Sequence, residues 1–277
     1  MQSLVTNIRF EEINEFDFMI KRTCTNRKIH THEIGLHVHK QLEIYINLSG
    51  DVSFLVENNL YPVSYGDIII TQPGQYHHCV YNSDKEHNLF WILLDIDNNK
   101  DLFAPLLKEN IPTLIRPYKN EKNKIISLCE KMHSNKLSPF EKFHCLLSFI
   151  NILKDSADNS SYFDTLPPDL HAALLYIDEN ICENIKVSDL ANHTFISEST
   201  LTRRFKQYLG LKPLEFIQKK KILAAAELLK KGESVLSAGT SVGFADNSYF
   251  INLFKRFYKV TPLQYKRENH LHFIEYL

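Results

Sequence analysis

The alternation of apolar and polar residues divides the chain into three parts. Up to residue 100, short apolar runs rich in β-branched and aromatic residues are separated by turn sequences such as Ser49-Gly50-Asp51. Representative runs cover residues 42–48, 52–56, 67–71 and 90–94. Strands that recur about every ten residues predict an antiparallel barrel or sandwich.

Residues 120–157 change to helical periodicity. Apolar residues recur at i, i+3, i+4 and i+7 in two stretches, which begin at Ile125 and at Phe143. Ser138-Pro139 predicts the start of the second helix, with the serine as N-cap. Either the barrel or a second copy of the chain would cover the two apolar stripes. The polar, proline-ended stretch that follows predicts a linker over residues 158–168.

The third part, residues 169–277, is helical almost throughout and contains an internal repeat. Residues 199–206 (STLTRRFK) align with residues 248–255 (SYFINLFK) at an offset of 49 positions, and Pro213-Leu214 aligns with Pro262-Leu263. A duplicated unit calls for the same interpretation of both copies.

Each copy has the pattern of a helix-turn-helix. In the first copy we expect Ser188 to cap a short helix and Ser197 to cap the helix that ends before Gly210. In the second copy the short helix begins at Val235, and Asp246 caps the helix from Asn247. A long helix from Pro213 to Lys231 joins the units and sets their separation. Second helices of this kind enter major grooves of DNA.

Composition and charge narrow the function classes. With 44% hydrophobic and 23% charged residues the chain is neither disordered nor fibrous, and its apolar runs are too short to span a bilayer. The five scattered cysteines and the lack of an export signal favour reduced thiols in the cytoplasm. The net charge is -1, but residues 198–231 hold nine Lys and Arg against three Asp and Glu. A polyanionic partner fits this local excess.

Residues 185–265 resemble the DNA-binding domain of the AraC/XylS family of transcription regulators. The resemblance is carried by VGFADNSYF (242–250), by Phe254-Lys255 and by TPLQY (261–265). Two positions depart from the family pattern, Gly239 in the first helix of the second unit and Lys221 in the joining helix. A glycine inside a helix costs about 1 kcal/mol relative to alanine, so we expect Gly239 to weaken this unit.

Helical spacing together with this resemblance predicts the DNA contacts. Leu201, Phe205, Phe250 and Phe254 should face the core, as should Phe244 and Tyr249. The remaining positions turn outward. The expected base-reading residues are Ser199, Thr202, Arg203, Asn247, Ser248 and Asn252. The expected phosphate contacts are Lys206, Lys212 and Lys255.

The N-terminal part resembles a cupin barrel. The resemblance rests on His37-x-His39-x3-Glu43-x6-Gly50, with Gly66 and Pro73-Gly74-x2-His77 following. Three imidazoles and one carboxylate suit a divalent transition metal. The same side chains would equally line a pocket for an organic effector or simply satisfy one another in the core. The candidate effector pocket comprises His37, His39, Glu43, Tyr45, His77 and Trp91. We predict no required cofactor, and a divalent transition metal bound in the barrel is the open alternative.

The sequence therefore predicts an α+β protein of two domains. Residues 1–157 form a cupin-like antiparallel β-barrel with two flanking helices, and its helical part, about 120–157, pairs two chains. Residues 169–277 form an all-α domain of two helix-turn-helix units. The predicted function is an effector-controlled transcription regulator, a non-enzyme, in the cytoplasm. The alternative is a metal-dependent cupin enzyme fused to a DNA-binding domain.

The family resemblance adds expectations about partners. It implies activation of transcription, a carbohydrate or related catabolite as effector, and contact with RNA polymerase. The expected partners are thus double-stranded DNA, a small molecule, RNA polymerase and a second copy of the chain, without a membrane.

Overall fold

The computed structural model describes residues 18–25, 36–97, 99–134, 136–157 and 166–267. Within these ranges the N-terminal part has eight strands, which follow the apolar runs of the sequence. They are β1 (Phe18–Thr25), β2 (Leu42–Ser49), β3 (Val52–Val56), β4 (Asn59–Val63), β5 (Ile68–Thr71), β6 (His77–Tyr81), β7 (His87–Leu94) and β8 (Leu114–Ile115).

The strands form two antiparallel sheets. Five strands pair in the order β1-β7-β2-β5-β8 and three in the order β4-β3-β6. The antiparallel architecture is as predicted, but among the described residues the two sheets face each other without pairing into one closed barrel. An isolated antiparallel bridge pairs His37, which precedes β2, with His77 at the start of β6.

Period-two alternation gives the five-stranded sheet two different buried faces. On β2, Ile44 and Ile46 belong to the core that the flanking helices cover, whereas Tyr45 belongs to the core between the sheets. Tyr45, Phe54 and Trp91 are all 5% exposed or less. The space between the sheets is therefore largely filled by aromatic and aliphatic side chains.

Two helices, α1 (Lys119–His133) and α2 (Pro139–Ser156), cover the outer face of the five-stranded sheet. Ser138 caps α2 as predicted, because its hydroxyl accepts from the Glu141 amide at 3.3 Å. Ile125 and Phe149 are fully buried in the core against the sheet. The sequence allowed either the barrel or a second copy of the chain to cover the apolar stripes of these helices. The structure shows that the chain's own five-stranded sheet covers them.

The C-terminal part is helical. Its helices are α3 (Pro168–Glu179), α4 (Val187–His193), α5 (Glu198–Leu209), α6 (Pro213–Lys230), α7 (Val235–Ser241), α8 (Asn247–Tyr258) and α9 (Pro262–Arg267). Most of the predicted linker, residues 158–165, lies outside the described residues, and the domain boundaries remain a prediction. Pro168 already opens α3, since its missing N–H costs nothing at a helix start.

Most predicted caps are confirmed. Ser197 accepts from the Thr200 amide at 3.2 Å, and Asp246 accepts from the Tyr249 amide at 3.0 Å. Gly210 ends α5 with φ of 69°. The prediction for Ser188 was wrong, because α4 begins at Val187, two residues earlier than predicted, and its N-cap is Lys186. There the carboxylate of Asp189 accepts from the amide of the N-cap residue.

One hydrophobic cluster joins the two parts of the chain. Leu55 and Val80, from the three-stranded sheet, pack in the same cluster as Leu174 of α3, Phe205 of α5 and Phe216 of α6. The β-part and the helical part therefore share a buried apolar interface. None of the helices in the described ranges is long and apolar enough to cross a membrane.

Candidate functional sites

The second helix of the first helix-turn-helix unit, α5, presents one polar face to solvent. Leu201 and Phe205 are fully buried, as their spacing of four residues predicted. Ser199 and Arg203 are exposed and Thr202 is half-buried. The three predicted base-reading residues of this unit thus lie on the accessible side, where a duplex could reach them.

The equivalent helix of the second unit, α8, repeats this arrangement. Phe250 and Phe254 are fully buried, while Asn247, Ser248 and Asn252 are exposed. The prediction that Tyr249 belongs to the core was wrong, because Tyr249 is 45% exposed. It lies in the first turn of α8 between outward positions, and its hydroxyl accepts a 2.6 Å hydrogen bond from Gln218 on α6. Phe244 is only half-buried.

The predicted phosphate contacts are also accessible. Lys206, Lys212 and Lys255 are all exposed, and Lys212 stands at the N-cap position of α6. Flexible, hydrated ammonium groups at the edges of a recognition face suit contacts with the DNA backbone.

Lys221 of α6 ties the two helix-turn-helix units together. Its ammonium group donates to the carbonyl of Glu183, which precedes α4, and to the carbonyl of Val242, which follows α7. Lys221 is only 5% exposed, and burial lowers its pKa. At this position, which departs from the family pattern, a lysine can link the two units because its ammonium group donates hydrogen bonds to backbone carbonyls of both.

Gly239, the other departure, has a packing role. A Cβ at this position would lie 2.7 Å from the nearest ring atom of Phe250, which is closer than real side chains approach. The glycine therefore lets α7 and α8 come together. The expected weakening by Gly239 was based on helix propensity alone and did not include its close packing against Phe250.

A polar network connects the two parts of the chain. Asp178 at the end of α3 accepts from Asn58 at 2.7 Å and pairs with the ammonium group of Lys220. That ammonium group lies 3.7 Å from the ring centre of Tyr76, whose hydroxyl donates to Asn58 at 2.6 Å. Burial lowers the pKa of Lys220, and the neighbouring Asp178 carboxylate opposes that shift. These contacts hold the helical part against one edge of the β-part.

A cavity of about 310 Å³ opens at this interface. Its lining includes Val38 and Tyr76 from the β-part and Asp178, Lys220 and Leu223 from the helical part. A ligand in this cavity would contact both parts of the chain.

The candidate metal ligands converge as the sequence predicted. The side-chain donor atoms of His37, His39, Glu43 and His77 all lie within 4.8 Å of one another. One carboxylate oxygen of Glu43 lies 2.9 Å from Nε2 of His39 and 2.9 Å from Nε2 of His77. Burial would raise the pKa of Glu43, but the charges and hydrogen bonds of His77 and His39 outweigh it and hold that pKa well below its usual range.

The two aromatic members of the predicted effector pocket lie deeper between the sheets. The Tyr45 hydroxyl contacts Nε2 of His87, and the Trp91 indole donates to the Thr23 hydroxyl at 3.1 Å. Phe54 connects this region to the histidine cluster, with its ring centre 4.7 Å from that of Tyr45 and 6.2 Å from that of His77. The predicted pocket residues thus lie in one continuous internal region, which side chains largely fill.

Comparison with known proteins agrees with both parts of this architecture. Residues 190–268 match the family described as "Helix-turn-helix domain", and residues 21–111 match the "AraC-like ligand binding domain". The chain belongs to the AraC family. The first match contains both recognition helices, and the second contains the histidine cluster.

Curated AraC-family relatives resemble different lengths of the chain. The regulatory protein PocR of Salmonella typhimurium is 29% identical over 45% of this chain and 44% of its own length. The chain thus spans less than half of PocR. The transcriptional activator RhaR of Mannheimia succiniciproducens is 24% identical over 83% of this chain and 86% of its own length. These relatives are transcription regulators and not enzymes.

Among solved structures, ToxT of Vibrio cholerae O395 is 18% identical and covers 93% of this chain and 99% of its own. The TM-score is 0.40, so the assignment to the AraC family rests on the sequence matches instead.

Sequence reasoning missed the network that joins the two parts. Tyr76 and Asp178 are 102 residues apart, and no local pattern connects them. One signal was present, because Lys220 and Lys221 occupy positions of α6 that helical spacing places among the apolar residues Ile217 and Ala224. A charged residue at a core position needs a partner.

Proposed function

We propose that this AraC-family chain is a sequence-specific DNA-binding regulator that activates transcription when a small molecule binds its N-terminal part. The observation that carries the proposal is the repeated pair of capped helices, α5 and α8, whose apolar sides are buried and whose polar sides face solvent. Such helices enter the major groove with their N-terminal residues toward the bases.

The length of α6 supports binding to two successive major grooves. Its 18 residues extend about 27 Å at 1.5 Å per residue, which is comparable with the roughly 34 Å between grooves on one face of a duplex. Lys221 keeps the two units in a fixed relation through the carbonyls of Glu183 and Val242. The two recognition helices, α5 and α8, would then bind the DNA in a fixed relative orientation.

The chemistry of the exposed side chains assigns their roles. Arg203 suits the O6 and N7 acceptors of guanine, and Asn247 and Asn252 suit the N6 and N7 groups of adenine. Ser199, Thr202 and Ser248 complete the base-reading set. Lys206, Lys212 and Lys255 bind phosphates and set the affinity without reading the sequence.

The effector acts through the interface between the two parts. A ligand shifts an equilibrium only by binding two arrangements with different affinities, so its site must respond to the position of the helical part. The internal region around His37, His39, Glu43, Tyr45, His77 and Trp91 remains the proposed pocket. The nearby network of Tyr76, Asp178 and Lys220 would transmit occupancy to α6. We favour a carbohydrate or related catabolite as the effector.

The remaining expectations follow from membership of the AraC family. We propose that the protein works in the cytoplasm as a homodimer and contacts RNA polymerase. The apolar stripes of α1 and α2 pack on the chain's own sheet, so pairing of two chains would use the outer surface of these helices.

Selection from genomic DNA tests the proposal. The full-length protein is mixed with fragments of its source genome, and the bound fragments are sequenced. We expect enrichment of a few promoter regions that share a motif. The double variant Arg203→Ala/Asn252→Ala should lose this enrichment, while Glu109→Gln, a change at an exposed position between β7 and β8, should keep it. Equal recovery of all fragments by the unaltered protein would refute sequence-specific binding.

A further inference from the structure

The turn of the first helix-turn-helix unit leaves an aromatic ring almost wholly in solvent. Phe195 lies between α4 and α5, two residues before the Ser197 cap, and is 95% exposed. A single exposed apolar residue is ordinary on a protein surface. Phe195 differs because its backbone is also strained, with φ of 56° in the left-handed region that bulky side chains avoid.

The second unit has a glycine at the equivalent step of its turn. In each unit the turn closes with a hydrogen bond from a backbone amide to the carbonyl five residues earlier, and the residue before the donor has a positive φ. That residue is Gly243, with φ of 75°, in the second unit and Phe195 in the first. Glycine holds this conformation without strain. Among the described non-glycine residues with positive φ, Phe195 is the only apolar one, beside Glu57 and Lys259.

Phe195 therefore combines a strained backbone with an uncovered ring, and packing within the described part of the chain offsets neither cost. Its neighbours behave differently, because Thr194 is buried and Ile196 is half-buried in the core. Strained residues of this kind concentrate at functional sites. A partner outside the chain that covers the ring would account for a phenylalanine at this position.

The exposed side of this turn is continuous with the proposed DNA-reading face of α5. Ser197, Glu198 and Ser199 at the start of α5 are exposed as well, and the hydroxyl oxygens of Ser197 and Ser199 lie 2.9 Å apart. Two residues of backbone span at most about 7 Å, which is about two base-pair steps of 3.4 Å. When the start of α5 meets base edges in a major groove, Phe195 therefore lies beside the adjoining base pairs.

We propose that the ring of Phe195 contacts the C5-methyl group of a thymine beside the bases that the start of α5 reads. A phenyl ring has no hydrogen-bonding group for a base edge, and the thymine methyl is the apolar group that base pairs present in the major groove. Covering a phosphate with the ring would displace water without a hydrogen bond in return. Phe195 is thus a specificity-determining residue in addition to Ser199, Thr202 and Arg203. This inference rests on the proposed function.

Phe195→Asn separates a DNA contact from a structural role. Asparagine tolerates the left-handed conformation, so the full-length variant should unfold at an equal or higher urea concentration than the unaltered protein. It should nevertheless bind the selected operator about five-fold or more weakly, because the apolar contact is lost. Phe195→Tyr keeps the ring and should retain most of the affinity. Undiminished operator affinity in Phe195→Asn would overturn the proposal.

Tyr65→Asn is the matched control for removal of a surface ring. Tyr65 is 55% exposed and lies in the turn between β4 and β5, outside the helix-turn-helix units. Its replacement should leave the Kd for the operator unchanged. An equal loss of affinity in Tyr65→Asn and Phe195→Asn would show a general effect of losing an exposed ring and would overturn the specific contact.

Deoxyuridine in the operator identifies the base that the ring contacts. Each thymine is replaced in turn by deoxyuridine, which lacks only the C5-methyl group, and Kd is measured by fluorescence anisotropy. We expect one or two positions, within about two base pairs of those protected by α5, where the loss of the methyl weakens binding of the unaltered protein by about three- to five-fold. The same replacements should leave binding of Phe195→Asn unchanged. Equal sensitivity of both proteins at every thymine would overturn the contact with a methyl group.

The same measurements distinguish failure of this contact from failure of the proposed function. If the unaltered protein binds the operator and random DNA equally well, the proposed function is wrong. If it prefers the operator while neither Phe195→Asn nor deoxyuridine changes its affinity, the proposed function stands and the role of Phe195 is overturned.

Discussion

Gly239→Ala gives a prediction in which two physical effects have opposite signs. Helix propensity alone favours alanine over glycine inside α7 by about 1 kcal/mol. The structure adds a steric effect, because the new Cβ would lie 2.7, 3.1 and 3.2 Å from three atoms of the Phe250 ring. Phe250 is fully buried, and its ring centre is 5.2 Å from that of Phe244 and 5.8 Å from that of Phe254. The ring therefore has little space into which to move.

Overpacking of this kind costs about 1–3 kcal/mol, which equals or exceeds the gain in propensity. We expect Gly239→Ala to lower the free energy of unfolding by about 1 kcal/mol and to weaken DNA binding at the half-site of α8, because Phe250 positions that helix. Urea unfolding followed by circular dichroism gives the first quantity, and fluorescence anisotropy with the operator gives the second.

Thr240→Ala is the matched control on the same helix. Thr240 is exposed, and its hydroxyl donates to the Leu236 carbonyl one turn earlier. The change to alanine should therefore raise stability by a few tenths of a kcal/mol and leave DNA binding alone. If Gly239→Ala raised stability as the control does, the close approach of Phe250 would not matter and the reasoning would be refuted.

Four further changes test other parts of the account. Arg203→Ala should weaken the free energy of binding to the operator by about 1–3 kcal/mol and relax the base preference at one half-site. An equal loss of affinity for random DNA would contradict base reading. Lys255→Ala should weaken binding to all DNA sequences alike and reduce the slope of log K against log salt concentration by about 0.9. An unchanged slope would argue against a phosphate contact. Lys221→Met should cost about 1–3 kcal/mol in urea unfolding because buried carbonyls lose their donor, and a neutral result would remove its role in joining the units. Asp178→Asn removes the carboxylate that pairs with the Lys220 ammonium group and should shift the effector dose-response in a reporter assay, whereas an unchanged response would exclude this network from signalling.

The local features of the fold could be predicted from the sequence because they depend on short-range chemistry. Ser138, Ser197 and Asp246 cap helices because a side-chain oxygen is available at the right step. The convergence of the candidate metal ligands was also predictable, since His37, His39 and Glu43 lie close in sequence. Only His77 had to come from a distant motif.

Features that depend on packing between distant elements were not predictable. Tyr249 resembles a core residue by composition, yet its place in the first turn of α8 turns it outward. The packing role of Gly239 depends on the ring of Phe250, which lies eleven positions later in the sequence, on α8. The partners of Lys220 come from the β-part, and only the three-dimensional structure brings them together.

The central claim is that α5 and α8 enter successive major grooves on one face of a duplex. Hydroxyl-radical footprinting of the full-length protein on its selected operator measures this directly. We expect two protected blocks per chain, centred about 10–10.5 base pairs apart, with Arg203→Ala fading one block and Asn252→Ala the other. A single protected block, or two blocks that fade together with either substitution, would contradict the claim.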